Sequence, residues 1–233
     1  LTKVDASALT GKLTFTTDDV TAINVIGGSA NDTITLGSTF TSADTVNGGA
    51  GTDTLSIGVT VAAATDLANV TNVEKLKLTG ATDVTLAANV APTSFDFTDA
   101  ANNVLTLSTG YTNATTVTLE SGDKVVNNAN VALTVAMKGA DLVTATSIAG
   151  GTGTDSISLT ADSTTALATN FANITSVNSI AIVDNGDSAS GTTVAGKDVD
   201  LNLGNYGTSL TIDGTALDAG TVTAGVMGAD DET

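Results

Sequence analysis

The sequence predicts an all-β chain wound as an elongated right-handed parallel β-helix, or β-solenoid, with packed β-sandwich domains as the alternative. Three observations point to it. Short segments alternate apolar and polar residues with a period of two, a glycine-rich nonapeptide recurs, and a longer block of sequence repeats.

The alternating segments come in order along the chain as Lys12-Leu13-Thr14-Phe15, Thr54-Leu55-Ser56-Ile57, Lys75-Leu76-Lys77-Leu78, Val84-Thr85-Leu86, Val104-Leu105-Thr106-Leu107, Val117-Thr118-Leu119, Leu133-Thr134-Val135, Ser156-Ile157-Ser158-Leu159, Ser179-Ile180-Ala181-Ile182, Asp200-Leu201-Asn202-Leu203 and Leu210-Thr211-Ile212. Successive side chains of a strand point to opposite faces, so this period fits half-buried strands. Gly, Asn, Asp or Ser punctuates nearly every interval, as turns require. The only helical candidates are short, at 62–70 and 165–174. Lys75 and Lys77 share one face of their strand as a solvated pair, and at a sheet edge they would discourage strand addition.

The nonapeptide pattern G-G-x-G-x-D-x-U-x, with U apolar, fits Gly48-Gly49-Ala50-Gly51-Thr52-Asp53-Thr54-Leu55-Ser56 and Gly150-Gly151-Thr152-Gly153-Thr154-Asp155-Ser156-Ile157-Ser158. A third copy, Gly27-Gly28-Ser29-Ala30-Asn31-Asp32-Thr33-Ile34-Thr35, has Ala30 in place of the third glycine. Glycine lets the backbone turn through positive φ and present carbonyl oxygens, and the aspartate adds an anionic oxygen. A hard cation such as Ca²⁺ takes six to eight oxygen ligands, so one such turn supplies half a site that a neighbouring turn completes. The copies at 27 and 48 start 21 residues apart, which predicts turns stacked one coil apart with Asp32 and Asp53 sharing an ion. The copy at 150 has no close nonapeptide neighbour; its expected partners are Lys138-Gly139-Ala140-Asp141 or Asp184-Asn185-Gly186-Asp187.

A longer repeat surrounds these motifs. Residues 48–53 lead to Leu67-Ala68-Asn69-Val70-Thr71-Asn72-Val73, and residues 150–155 lead to Phe171-Ala172-Asn173-Ile174-Thr175-Ser176-Val177. A further correspondence links Val4-Asp5-Ala6-Ser7-Ala8-Leu9 with Ile212-Asp213-Gly214-Thr215-Ala216-Leu217. Repetition of this kind suits a solenoid whose coils bury one another's apolar faces. The chain divides at the second full motif into a segment 1–149 with two calcium-type turns and a continuing repeat 150–233. The opening at Leu1 and the acidic ending Gly228-Ala229-Asp230-Asp231-Glu232-Thr233 read as those of a fragment of a longer protein.

Composition narrows the function. The net charge is −18, from 25 acidic and 7 basic residues. The acids are nearly all Asp, since Glu occurs only at Glu74, Glu120 and Glu232, and there is no Arg. No basic patch can form, which excludes nucleic-acid binding and disfavours anionic membranes. There is no Cys or His, hence no disulfide framework, no Ser-His-Asp triad and no usual zinc site. No apolar run is long enough to span a bilayer, and no signal-type segment stands at the start. Tyr111 and Tyr206 are the only tyrosines, with five Phe and no Trp, which offers little platform for a sugar.

The nonapeptides, with the Val-Asp-Ala-Ser-Ala-Leu-Thr-Gly lead-in at 4–11 and Ala-Asn-Val-Thr-Asn-Val-Glu-Lys-Leu-Lys-Leu at 68–78, resemble repeats-in-toxin (RTX) bacterial surface-layer (S-layer) proteins. The resemblance is patchy but spans most of the chain. It implies type I secretion, folding outside the cell on binding calcium, and self-association into an array on the bacterial surface, with attachment to cell-surface polysaccharide through other parts of the parent chain. It also implies Asp32, Asp53 and Asp155 as carboxylate ligands of Ca²⁺, with Gly28, Gly49, Gly51, Gly151 and Gly153 presenting carbonyls and Asn31 and Asp44 as further candidates. Unlike toxin-type blocks, the motifs here are isolated, not in long tandem arrays. The leading expectation is a structural, non-enzymatic segment; a calcium-dependent adhesin or stalk, and a non-catalytic RTX module of a secreted enzyme, are the alternatives.

Overall fold

A computed structural model describes residues 1–80, 82–99, 102–143, 146–161, 169–170, 173–184, 199–202, 211–216 and 222–225. It is a right-handed parallel β-helix. Every described strand pair is parallel, which excludes the antiparallel sandwich. One long sheet of ten strands runs the length of the stack, from Thr14–Thr16 through Thr33–Gly37, Thr54–Ile57, Lys75–Leu78, Ser94–Asp96, Thr115–Leu119, Leu133–Lys138, Ser156–Ala161 and Ser179–Asp184 to Thr211–Ala216. The other side is split. A four-stranded sheet (Lys3–Asp5, Asn24–Ile26, Thr45–Asn47, Val70–Thr71) covers the first coils, and a five-stranded sheet (Val84–Leu86, Val104–Leu107, Lys124–Asn127, Ser147–Ala149, Ile174–Thr175) covers the next. Thr169–Asn170, Val199–Asn202 and Val222–Gly225 form a third, three-stranded sheet.

The period of two sets what each strand buries. In Lys75–Leu78 the two leucines are buried and the two lysines are not. Stacking in register then places like on like: Phe15, Ile34, Leu55, Leu76, Phe95, Val117, Val135, Ile157 and Ile180 follow one another up the long sheet. Val25, Val46 and Val70, then Val84, Leu105, Val125, Ile148 and Ile174, face them from the split side. Nearly all are fully buried, and each contributes about 1.5–3 kcal/mol by leaving water. Pairing of Leu133–Lys138 with Ser156–Ala161 carries the stack across residue 150 without a break.

The coil between Thr54–Ile57 and Lys75–Leu78 makes the change of partner. Val61 bridges forward to Val84, and Val70–Thr71 pairs backward with Val46 and Asn47. The Ala-rich stretch expected to be helical at 62–70 is one turn of 3-10 helix, Ala64–Leu67, between those two contacts; the strand pairing on either side leaves no room for more. In the counterpart at 165–174, residues 169–170 and the start of Ile174–Thr175 are strand, and 165–168 lie outside the described residues. Asp66 closes the short turn by accepting the Ala63 N–H at 3.1 Å.

Two further expectations change. Val4 lies on the split side and Ile212 on the long sheet, so the 4–9 and 212–217 resemblance does not reflect equivalent positions. Lys75 and Lys77 sit on an interior strand and reach across to the next coil, Lys75 Nζ to Asp96 at 2.8 Å and Lys77 Nζ to Asp99 at 3.1 Å. They link coils and guard no edge. Leu76→Ala should lower the unfolding free energy by about 2–5 kcal/mol, whereas Lys77→Ala, which breaks one partly exposed ion pair, should cost less than about 1 kcal/mol; urea-unfolding midpoints check both.

Candidate functional site: the stacked glycine-aspartate turns

Several main-chain N–H groups at the start of a strand, or just before it, have no partner in the strand ladder. A carboxylate or amide from the next coil fills that need repeatedly. Asp32 Oδ1 accepts the Leu13 N–H at 2.7 Å, Asp53 Oδ1 accepts the Asp32 N–H at 2.6 Å, and Glu74 Oε2 accepts the Asp53 N–H at 2.7 Å. Further along, Asp155 Oδ1 accepts the Leu133 N–H at 2.9 Å and Asn178 Oδ1 accepts the Asp155 N–H at 2.7 Å. At the opposite corner Asp44 accepts from Ile23, Asn103 from Thr82 and Asp123 from Asn103. Hydrogen bonds of backbone N–H groups to charged acceptors are worth about 1.5–3 kcal/mol each.

Of these caps the sequence singled out Asp32, Asp44, Asp53 and Asp155, as calcium ligands; it missed Glu74, Asn103, Asp123 and Asn178, and also Asn127, whose amide donates to Asp155 at 3.4 Å. Most share one signal, an acidic or amide residue directly before a strand: Asp32-Thr33, Asp53-Thr54, Glu74-Lys75, Asn103-Val104, Asp123-Lys124, Asp155-Ser156 and Asn178-Ser179. Asn127 instead ends its strand.

The turns at 27–32 and 48–53 do stack one coil apart, with Thr33 beside Thr54. Their carboxylates are not equivalent. Both oxygens of Asp32 are used, Oδ2 taking the Gly28 N–H at 2.6 Å. Asp53 is 1% exposed and its Oδ2 has no hydrogen-bond partner; Asp155 is the same in both respects. Burial pushes the Asp53 carboxyl up, with the nearby Asp32 and Glu74 charges adding to it and the Asp32 N–H opposing it. Burial likewise raises Asp155 against its hydrogen bonds from Leu133 and Asn127. The ion pairs among the described residues involve Asp5, Asp19, Asp96 and Asp99, so no lysine balances these carboxylates.

The glycines serve the close approach of coils. At Gly48 a side chain would collide with the Asn72 carbonyl of the next coil, and at Gly150 with the Ser176 carbonyl. Asn72 and Ser176 occupy matching places in the long repeat and both have positive φ, 49° and 55°. Gly49, Gly51 and Gly151 also have positive φ. Gly28 accepts the Ala50 N–H at 3.0 Å, and Gly153 gives the Val131 carbonyl room. Asn31 Oδ1 accepts the Thr52 N–H at 2.9 Å. Asp44 lies at the opposite corner, with both oxygens engaged by Ile23 and Thr41.

Among the described residues the turn at 150–155 does not have the expected partner at 138–141. It stacks between the strand and turn beginning at Asn127 and the turn at 176–178. Gly139–Asp141 is a 3-10 turn that leads away from the long sheet, and 185–187 lie outside the described residues. Tyr111 is 1% exposed, with its hydroxyl 3.0 Å from Thr115 Oγ1, and is a packing residue; Tyr206 lies outside the described residues.

Among the described residues no three His, Cys, Asp or Glu side chains gather as a metal-binding group. A cation at the 48–53 turn would thus rest on one unpartnered carboxylate oxygen with main-chain oxygens around it. That donor set is all oxygen and suits a hard ion such as Ca²⁺.

Two outcomes are expected from the geometry alone. Gly48→Ala should destabilise by about 1–3 kcal/mol, whereas Gly11→Ala, with open space around it, should change little; thermal melts decide. Burial raises the fully buried Asp123 to about 6 from 3.8, against its hydrogen bonds from Glu120 and Asn103. A raised carboxyl favours the fold most when protonated, so its contribution falls as pH rises through 6. Between pH 7 and 5 it should add about 1 kcal/mol, a slope that Asp123→Asn should lose in urea unfolding. Comparison of the chain with known protein families, curated proteins and solved structures finds no match.

Proposed function

We propose that this chain is a structural, calcium-stabilised segment of a secreted bacterial surface-layer protein, one that folds and assembles outside the cell on binding Ca²⁺. The observation that carries this reading is the buried, unpartnered Oδ2 of Asp53 in a ladder of acids, Asp32, Asp53 and Glu74, that no lysine among the described residues neutralises. Coils in a parallel sheet lie about 4.8 Å apart. Charges at that spacing repel by roughly 3 kcal/mol per adjacent pair at an effective dielectric constant of about 20.

A divalent ion held by Asp53 and by main-chain oxygens of the 27–32 and 48–53 turns would supply charge neutralisation and a bridge between coils. Because the unfolded chain has no such site, binding free energy becomes folding free energy. A site that is weak by cytosolic standards fills at extracellular calcium levels, which places folding after export. The role is structural and not catalytic: the buried carboxylates serve backbone N–H groups. Self-association into an array, and attachment through other parts of the parent chain, follow from the S-layer resemblance of the Gly-Asp turns and the 68–78 segment.

Far-UV circular dichroism with thermal melting, as calcium or magnesium is added to chelator-treated protein, tests the linkage. Calcium at about one hundred times its dissociation constant should stabilise by about 2.7 kcal/mol, with magnesium far less effective. Asp53→Ala should reduce this calcium-dependent gain more than Asp83→Ala, since Asp83 is exposed and its carboxylate accepts the Val104 N–H. Equal losses would remove Asp53 from the site, and no calcium response would sink the reading. Calcium-dependent growth of sheets by electron microscopy would separate the array from an isolated stalk.

A further inference from the structure

The turn at 150–155 differs from its counterpart at 48–53 in what lies beneath it. Below Gly150 comes Asn127, the last residue of its strand and 2% exposed. Asn127 Nδ2 donates to the Val131 carbonyl at 3.1 Å and to Asp155 Oδ1 at 3.4 Å. These two acceptors fix the orientation of the amide and leave Asn127 Oδ1 buried with no partner. Asp155 Oδ1 takes the Leu133 N–H, and its Oδ2 is likewise buried and unpartnered.

Two touching side chains thus each hold a bare oxygen away from water, and one of them carries a negative charge. Buried acceptors without donors are rare in folded proteins because each forfeits its hydration. The surroundings add acceptors: the Asn127 and Ala129 carbonyls face the Cα of Gly151, and the Val131 carbonyl faces that of Gly153. Among the described residues no lysine pairs with Asp155. A group that brings only positive charge and takes only oxygens answers this set.

We propose that Asn127 and Asp155 supply the side-chain oxygens of a second hard divalent-cation site, completed by main-chain carbonyls and water. The proposal rests on the calcium reading above and adds a ligand from a turn that has no glycine-aspartate motif. With one carboxylate and one neutral amide it carries less charge than the Asp32, Asp53 and Glu74 ladder, so it is the weaker of the two sites.

Calorimetric titration of Ca²⁺ into the chelator-treated chain tests this, with Asn127→Leu, Asn127→Asp and Asp53→Asn compared to the unaltered protein. The unaltered protein should show two affinity classes. Asn127→Leu should weaken the weaker class at least about tenfold, and Asp53→Asn should leave that class in place. Asn127→Asp, which keeps the oxygen and adds a charge, should lower the melting temperature in chelator and tighten the weaker class about tenfold or more. If both Asn127 variants bind as the unaltered chain does while Asp53→Asn loses a class, the second site is overturned and the calcium reading stands. If the unaltered chain takes up no Ca²⁺ well above about 1 mM, the weak end for extracellular calcium modules, both fall.

Discussion

The hydrogen bond from a coil's pre-strand N–H to an acid or amide of the following coil is the interaction on which the rest of the stack depends. Parallel strands satisfy each other along their length, but several corner N–H groups at or just before the start of a strand have no ladder partner. Asp32, Asp53, Glu74, Asp155 and Asn178 provide it on one side, and Asp44, Asn103 and Asp123 on the other. Asp32, Asp53, Asn103 and Asp155 each cap the coil beneath and have their own N–H capped by the coil above. The register of the apolar columns follows from it, because a slip by one residue would break the caps and turn the aliphatic side chains outward.

The same arrangement stores an electrostatic cost. Short acidic side chains reach a neighbouring coil's backbone well, but stacking them brings like charges together in a place that water barely enters. Asp53 shows the consequence in a carboxyl raised by burial and by the Asp32 and Glu74 charges. Where Asn replaces the acid, at 103 and 178, the cap persists without the charge. Asn at these places therefore limits repulsion, and Asp53 and Asp155, beside their glycine turns, are the acids with a spare oxygen.

Much of the fold was legible because its two determinants are local. The period-two segments at 54–57, 75–78, 104–107 and 133–135 all proved to be strands, and the 21-residue offset of two motifs gave their stacking. The helix expected at 62–70 failed because Val61 and Val70 are claimed by coils on opposite sides, a tertiary demand that alanine's propensity does not reveal. Asp53 and Asp155 stood out through their glycines. Asn127 did not, since nothing beside it in the chain marks it; its importance comes from lying under Gly150, a residue 23 positions away.

The coil that joins Thr54–Ile57 to Lys75–Leu78 makes the two sides of the solenoid unequal. On the long sheet every neighbour is hydrogen-bonded to the next without interruption. On the other side the ladder stops at Val70–Thr71 and a new one starts from Val61 and Val84. In a linear array whose cooperativity passes only between nearest neighbours, such a coil is a domain wall. Strain or thermal opening that spreads along the split side meets a discontinuity there, while the continuous side still transmits load from end to end. The fold thus has the layout of a beam with one unbroken flange and one jointed flange.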